Sequence, residues 1–277
     1  MSGGPVVLGD DGTRGAAMDF ALAEAGRRHA LLKVVHCAPL PTDLGDLVAS
    51  EAVHREVLSA GQELLDRTAQ LIEQRRAQVD VEYVLSDLAP TQHLLEESGT
   101  AQLLVTGIDD IPWYDRLFGG AVASYLATHA ECPLVTVPKH LDDGRRHEGV
   151  VVALDGTSDA RPLLSFAFEV AQGWGTTLHA VRMVSVGAVP DVVESARANL
   201  SEVLAGWGES YPDVRVEQEV VVAEPSDACI AATRRAELVL VGRSGRHRIR
   251  RPTAAGLVRH ATCPVAVVPL DPRPAAT

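Results

Sequence analysis

The sequence predicts an α/β protein built as two successive homologous domains, each a parallel sheet covered on both faces by helices. Three observations carry this. The chain repeats itself: a strand ending in Asp11-Gly12-Thr13 returns as Asp155-Gly156-Thr157, Leu103 to Gly107 returns as Leu238 to Gly242, and His129-Ala130-Glu131-Cys132-Pro133 returns as His260-Ala261-Thr262-Cys263-Pro264. Strand-like apolar runs alternate with amphipathic helical stretches in both copies. Finally, 277 residues suit two domains with separate cores, and a repeat of this length is too long for a solenoid.

Taken in order, Pro5 to Leu8 is a short apolar run closed by Gly9-Asp10-Asp11-Gly12, with Thr13 placed to cap a helix that runs to His29. That helix keeps Ala16, Phe20 and Ala23 on one side, and Arg27 and Arg28 suit its C-terminal dipole. Leu31 to Cys37 reads as a buried second strand, matched by Thr177 to Val181. A long amphipathic helix follows, with Val57, Gly61, Leu64, Leu65, Thr68, Leu71 and Ile72 at helical spacing; its counterpart carries Val192, Ala196, Leu200, Val203, Leu204 and Trp207. Val79, Val81, Tyr83 and Leu85 alternate as a third strand, as do Val214, Val216, Val220 and Val222. Short helices begin near Pro90 and Pro225, ahead of the buried fourth strands. A last helix in each copy leads to Pro133–Val137 or Pro264–Val268.

These elements divide the chain into a domain at 1–140, a polar linker at 141–149, a second domain at 150–270 and a Pro- and Ala-rich tail at 271–277. In open parallel sheets ligands settle beyond the strand C-termini where the winding reverses. With the first and fourth strands as neighbours, Asp11 and Gly107 share one crevice, and Asp155 and Gly242 share its equivalent.

A net charge of −12 argues against a nucleic acid or an anionic membrane as partner, since phosphate neutralisation needs clustered Lys and Arg. Four cysteines without a C-x-x-C pair, no leader-like N-terminus and no long apolar run point to a reduced, cytoplasmic setting.

In this order and repeated, the motifs resemble the universal stress protein family in its tandem two-domain form. The likeness rests on the Asp-Gly-Thr strand end, a second strand with His36-Cys37 or His179-Ala180, the apolar strands reaching Gly107 or Gly242, and the His-Ala-x-Cys-Pro strands. It covers about Val6 to Pro138 and Val150 to Pro269. The resemblance implies two Rossmann-like (adenine nucleotide alpha hydrolase-like) domains, each with a five-stranded parallel sheet. It also implies a non-enzymatic, cytoplasmic stress-response role, and an intramolecular pseudo-dimer with the closing strands at or near the contact. A homodimer and a separate protein partner stay open.

Many relatives bind ATP through Gly, two residues, Gly, nine residues, Gly and Ser or Thr, where glycine amides and a hydroxyl cradle phosphates. The strand-end aspartate would meet the ribose and the second-strand backbone the adenine. In the first domain this maps Asp11, Cys37, Gly107 and Gly120, but the second glycine position is Asp110, preceded by Asp109, and the hydroxyl position is Ala121. Those carboxylates, with Asp10 nearby, repel a triphosphate. In the second domain it maps Asp155, Ala180, Gly242 and Gly245, while the last glycine and hydroxyl positions hold Arg251 and Pro252. A basic loop remains there, including Arg246, His247, Arg248 and Arg250, leading to a helix marked by Pro252 or capped by Thr253. Any bound ATP or other adenine nucleotide is therefore expected in the second domain, the alternative being a solvated basic loop that holds none. The alternative is an interaction scaffold without nucleotide, acting through the loop Ile111 to Phe118 or the acidic surface.

No catalytic set emerges. The His129-x-x-Cys132 and His260-x-x-Cys263 pairs have zinc-compatible spacing, but a buried Cys at a strand entrance packs as a small hydrophobe, so no metal site is assigned. His36 and His179 read as hydrogen-bonded core histidines.

Overall fold

The computed structural model describes residues 3–12, 15–39, 51–75, 78–108, 119–139, 141, 148–156, 159–244, 257 and 260–271. It divides into two compact units, Met1–Lys139 and His140–Thr277.

In the first unit the chain runs β1 (Val6–Asp10), α1 (Ala16–Arg28), β2 (Leu32–Cys37), α2 (Glu51–Gln74), β3 (Val81–Ser86), α3 (Pro90–Ser98), β4 (Leu103–Ile108), α4 (Gly119–His129) and β5 (Leu134–Pro138). The strands are parallel, in the order β3-β2-β1-β4-β5. Right-handed crossovers therefore put α1 and α2 on one face and α3 and α4 on the other. Covered on both sides, β1 and β4 are almost wholly apolar, and Val6, Val7, Leu103, Leu104 and Val105 are fully buried. Each such side chain contributes about 1.5–3 kcal/mol of burial. Along α2 the inward stripe is Gly61, Leu65, Thr68 and Ile72, four of the residues that the periodicity selects.

The second unit repeats the plan: β6 (Val150–Leu154), α5 (Arg161–Trp174), β7 (Leu178–Val184), α6 (Pro190–Leu204), the short α7 (Trp207–Ser210), β8 (Val216–Val222), α8 (Pro225–Ala232), β9 (Leu238–Arg243) and β10 (Val265–Pro269). Its parallel order is β8-β7-β6-β9-β10. Phe168 of α5 is fully buried and stacks on Trp207 and Tyr211, each with centroids 5.1 Å away. The outer strands β3 and β8 are the most exposed of their units; Glu82 and Tyr83, and Glu217, Gln218 and Glu219, all face solvent.

One expected cap differs. The residue before α1 is Gly15, with no side-chain cap bond, so the helix starts later than a cap at Thr13 would set it. Thr13 itself lies outside the described residues. The Pro90 and Pro225 starts lie where expected, with proline in the first turn, where a missing N–H costs nothing.

Candidate functional site

The winding reverses between β1 and β4 in the first unit, and the groove there is built from the ends of both strands. Asp10, the last residue of β1, turns its carboxylate inward; the side chain is only 4% exposed. Thr68 Oγ1 of α2 donates to its Oδ2 at 3.0 Å and the Gly12 amide donates to its Oδ1 at 3.2 Å. His36 Nδ1 donates to the Asp10 carbonyl at 3.0 Å and lies 3.7 Å from Oδ2. The Asp10 carboxylate beside His36 holds the imidazole pKa above its ordinary value, against the lowering effect of burial. Asp10 thus secures the turn while also lining the groove between the two strands.

Asp11 comes next and is exposed, followed by Gly12 at φ 76°, a left-handed turn that glycine adopts without penalty. Gly107 of β4 faces it: a Cβ built at Gly107 would stand 3.9 Å from Asp11 Oδ2 and 3.8 Å from Ala17 Cβ. An open groove lies between, lined by Gly9, Asp11, Gly15, Ala17, Gly107 and Lys139. Two residues far apart in sequence are therefore brought together, and the uncapped start of α1 borders them.

Strand pairing decides which backbone groups reach the groove. The Leu32 and Ala38 amides donate to Asp80 and Ser86 on the β3 side, while Leu31 accepts from Val6 on the β1 side. Neighbouring residues of a strand address opposite partners, so Cys37 faces β1, one residue beyond the last β1–β2 pair, Asp10 with His36. Burial pushes the pKa of its thiol up to about 11.

The same accounting corrects the second domain. The pair Leu154 with Arg182 matches Asp10 with His36, so the counterpart of His36 is Arg182 and that of Cys37 is Met183. Ala180 is fully buried in mid-strand, paired with Val152 on one side and Gln218 on the other. It shares the alternation of Leu178, whose amide donates to Arg215 on the β8 side, so its backbone cannot meet a ligand at the strand tip. The expectation fails because matching the two histidines by eye shifts the register by three residues. His179 is the counterpart of Lys33; it is half-buried, with Nδ1 3.4 Å from Glu217 Oε2, not a core histidine.

Around Asp155 the second cleft differs from the first. Gly156 keeps the left-handed turn at φ 66°, and the Arg182 guanidinium lies so close over it that a Cβ would overlap the guanidinium carbon. Arg182 Nη1 reaches the Leu154 carbonyl at 3.4 Å, and its buried Nε has no acceptor among the described residues. Burial lowers its pKa and the nearby Asp155 opposes that. On the other side Leu270 covers Gly242, where a Cβ would stand 2.8 Å from Leu270 Cδ1. Lys139 is the residue equivalent to Leu270, each following the proline that closes its strand.

Gly120 lies in the first turn of α4. Asp109, Asp110, the loop 111–118, Gly245, Arg246, His247, Arg248, Arg250, Arg251, Pro252, Thr253 and Thr157 lie outside the described residues. Cys132 and Cys263 are buried, while His129 stacks on Tyr125 at 4.1 Å and bonds its carbonyl.

One constellation escaped sequence reasoning. Ser86 Oγ and His93 Nδ1 share a hydrogen bond at 3.1 Å, His93 Nε2 lies 3.6 Å from Glu97 Oε1, and Lys33 Nζ donates to that oxygen at 3.0 Å. The i, i+4 spacing of His93 and Glu97 was its only sequence signal. Ser86 is buried and its oxygen also accepts the Leu88 amide, so the chain of contacts ties β3 and α3 to β2.

Two doubly covered parallel sheets, each with a strand-end Asp-Gly turn opposite a glycine at the switch point, define a tandem pair of Rossmann-like domains. The sequence pattern described as the Universal stress protein family matches residues 5–138 and again 148–269, and the chain belongs to that family. It is 31% identical over 265 residues to Universal stress protein Mb2028c of Mycobacterium bovis, covering 87% of each chain. A universal stress protein of Mycolicibacterium smegmatis is 32% identical over 190 residues, 63% of this chain and 64% of that one. In fold, the crystal structure of a universal stress protein from Archaeoglobus fulgidus superposes with a TM-score of 0.72 at 19% identity, covering 97% of both chains.

Proposed function

We propose that this chain is a non-enzymatic, cytoplasmic module of the stress response that binds an adenine nucleotide in its first cleft. The observation that carries the reading is the meeting of the Asp11 carboxylate and Gly107 across an open groove, beside the start of α1 and Lys139. A carboxylate there suits ribose hydroxyls, and a glycine lets a phosphate approach the backbone. Cys37, with its backbone turned toward β1 past the end of the ladder, supplies the edge an adenine would meet. Sequence alone favoured the second cleft, through Gly242, Gly245 and the arginine loop; Arg182 and Leu270 weigh against that choice.

Titration calorimetry with ATP and with AMP tests this. Asp11→Ala should weaken binding about 10-fold or more, the worth of hydrogen bonds to a charged group. Equal binding by wild type and variant, or none by either, would remove the assignment.

Four exposed valines, Val186, Val189, Val192 and Val222, lie after β7 and at the end of β8 and favour a second reading, action through a protein partner. Under it, Val186→Glu with Val189→Glu would abolish the stress phenotype while leaving nucleotide affinity unchanged.

A further inference from the structure

The two clefts share a turn, an aspartate and a glycine, yet their walls differ at two equivalent positions. Where the first unit has His36, bonded to the strand end beneath it, the second has Arg182 with its guanidinium laid over Gly156. Where the first has Lys139 lining the groove, the second has Leu270 on Gly242. We propose that Arg182 fills the ribose side and Leu270 the phosphate side of the second cleft, so that the chain holds one adenine nucleotide rather than two. This rests on the nucleotide reading given above.

The physical case is one of volume and charge. A ribose beside Asp155 would occupy the space above the Asp-Gly turn, which is where Arg182 lies; at Gly156 even one added carbon would meet it. A positive charge near Asp155 also competes for the carboxylate oxygens that ribose hydroxyls would use. A phosphate approaching the backbone at Gly242 meets the methyl groups of Leu270, an apolar surface that offers no donor. In the first unit both positions are less obstructed: a Cβ at Gly12 would meet an uncharged side chain, Leu64 Cδ2, at 3.0 Å, and the nearest atoms to a Cβ at Gly107 are at ordinary contact distance. The register makes this a comparison of like with like, because Leu154 pairs with Arg182 as Asp10 pairs with His36.

Arg182 and Leu270 are replaceable without loss of the fold. The guanidinium makes one long hydrogen bond, at 3.4 Å, and its buried Nε has no acceptor among the described residues, so truncation removes an uncompensated donor. Leu270 follows the last strand, at a half-buried position.

The test is stoichiometry by calorimetry with ATP and AMP on the full chain, with circular dichroism confirming the fold. Wild type is expected to bind one nucleotide, about 10-fold or more weaker in Asp11→Ala and unchanged in Asp155→Ala. Arg182→Ala with Leu270→Ala should bind two, the new site disappearing when Asp155→Ala is added. Arg182→Met with Leu270→Ala, which keeps side-chain bulk over Gly156, should stay at one. A wild type binding two, or an Asp155→Ala variant that loses the single site, would overturn the proposal. So would an opened variant that still binds one. A wild type that binds none, with an opened variant that binds one through Asp155, would retain the filled second cleft and defeat only the first-cleft reading.

Discussion

Thr68→Val isolates the anchor beneath the first cleft. Thr68 is 2% exposed, and its hydroxyl donates at 3.0 Å to the carboxylate of Asp10, itself buried. Valine keeps the shape and removes the donor, leaving that oxygen 3.7 Å from His36 Nδ1. A hydrogen bond of this kind contributes about 1.5–3 kcal/mol, and a buried acceptor left without its donor carries a desolvation cost of similar size. Thr68→Ser keeps the hydroxyl and loses one methyl, about 0.8 kcal/mol. The valine variant should therefore lose about 2 kcal/mol and the serine variant less than half of that. With a urea dependence of about 1–3 kcal/mol per molar, the midpoint of the affected transition falls by roughly 1 M in Thr68→Val. Far-ultraviolet circular dichroism during urea titration reads this directly. Because the same carboxylate also fixes the Gly12 amide, and with it the direction of Asp11, nucleotide affinity should fall too, though less than in Asp11→Ala. A valine variant as stable as wild type, or a serine variant as damaged as the valine one, would refute the role of this hydrogen bond.

Two further outcomes follow from other packed groups. The raised pKa of His36 means that its contribution to stability is complete below the unfolded value of 6.5 and is lost as pH rises through the folded value. The stability gap between wild type and His36→Gln should therefore be larger at about pH 5.5 than at about pH 9; a gap that widens with pH would contradict this. Phe168→Ala should cost about 3–5 kcal/mol, as expected for a fully buried aromatic. It should also red-shift tryptophan fluorescence by uncovering Trp207, and an unchanged spectrum would show that the stack does not shield the indole.

Most of the fold is legible in the sequence because its signals are local and redundant. Doubly covered strands such as Leu103 to Val105 announce themselves as continuous apolar runs, and the duplication lets a weak element in one copy be read from the other. The meeting of Asp11 and Gly107 follows from topology alone, once β1 and β4 are neighbours. What sequence does not carry is side-chain direction. Asp10 and Asp11 are chemically identical neighbours, yet strand alternation and the Gly12 turn send one into the core and the other to the groove. Nor does it carry register: His36 and His179 look equivalent, and only the pairing with β1 and β6 assigns Arg182 to the place of His36. The choice of cleft turned on that difference.

The outermost strand of the second unit has a consequence for self-association. β8 pairs only with β7 within its unit and would otherwise offer a valine-rich template, Val216 and Val220 to Val222, for self-association. Glu217, paired with Arg215 at 2.6 Å, and Glu219 interrupt it with charged groups that any second copy would have to desolvate, which disfavours fibril growth from this margin. Part of the net charge of −12 thus lies along this edge, where it opposes strand-to-strand pairing with another copy.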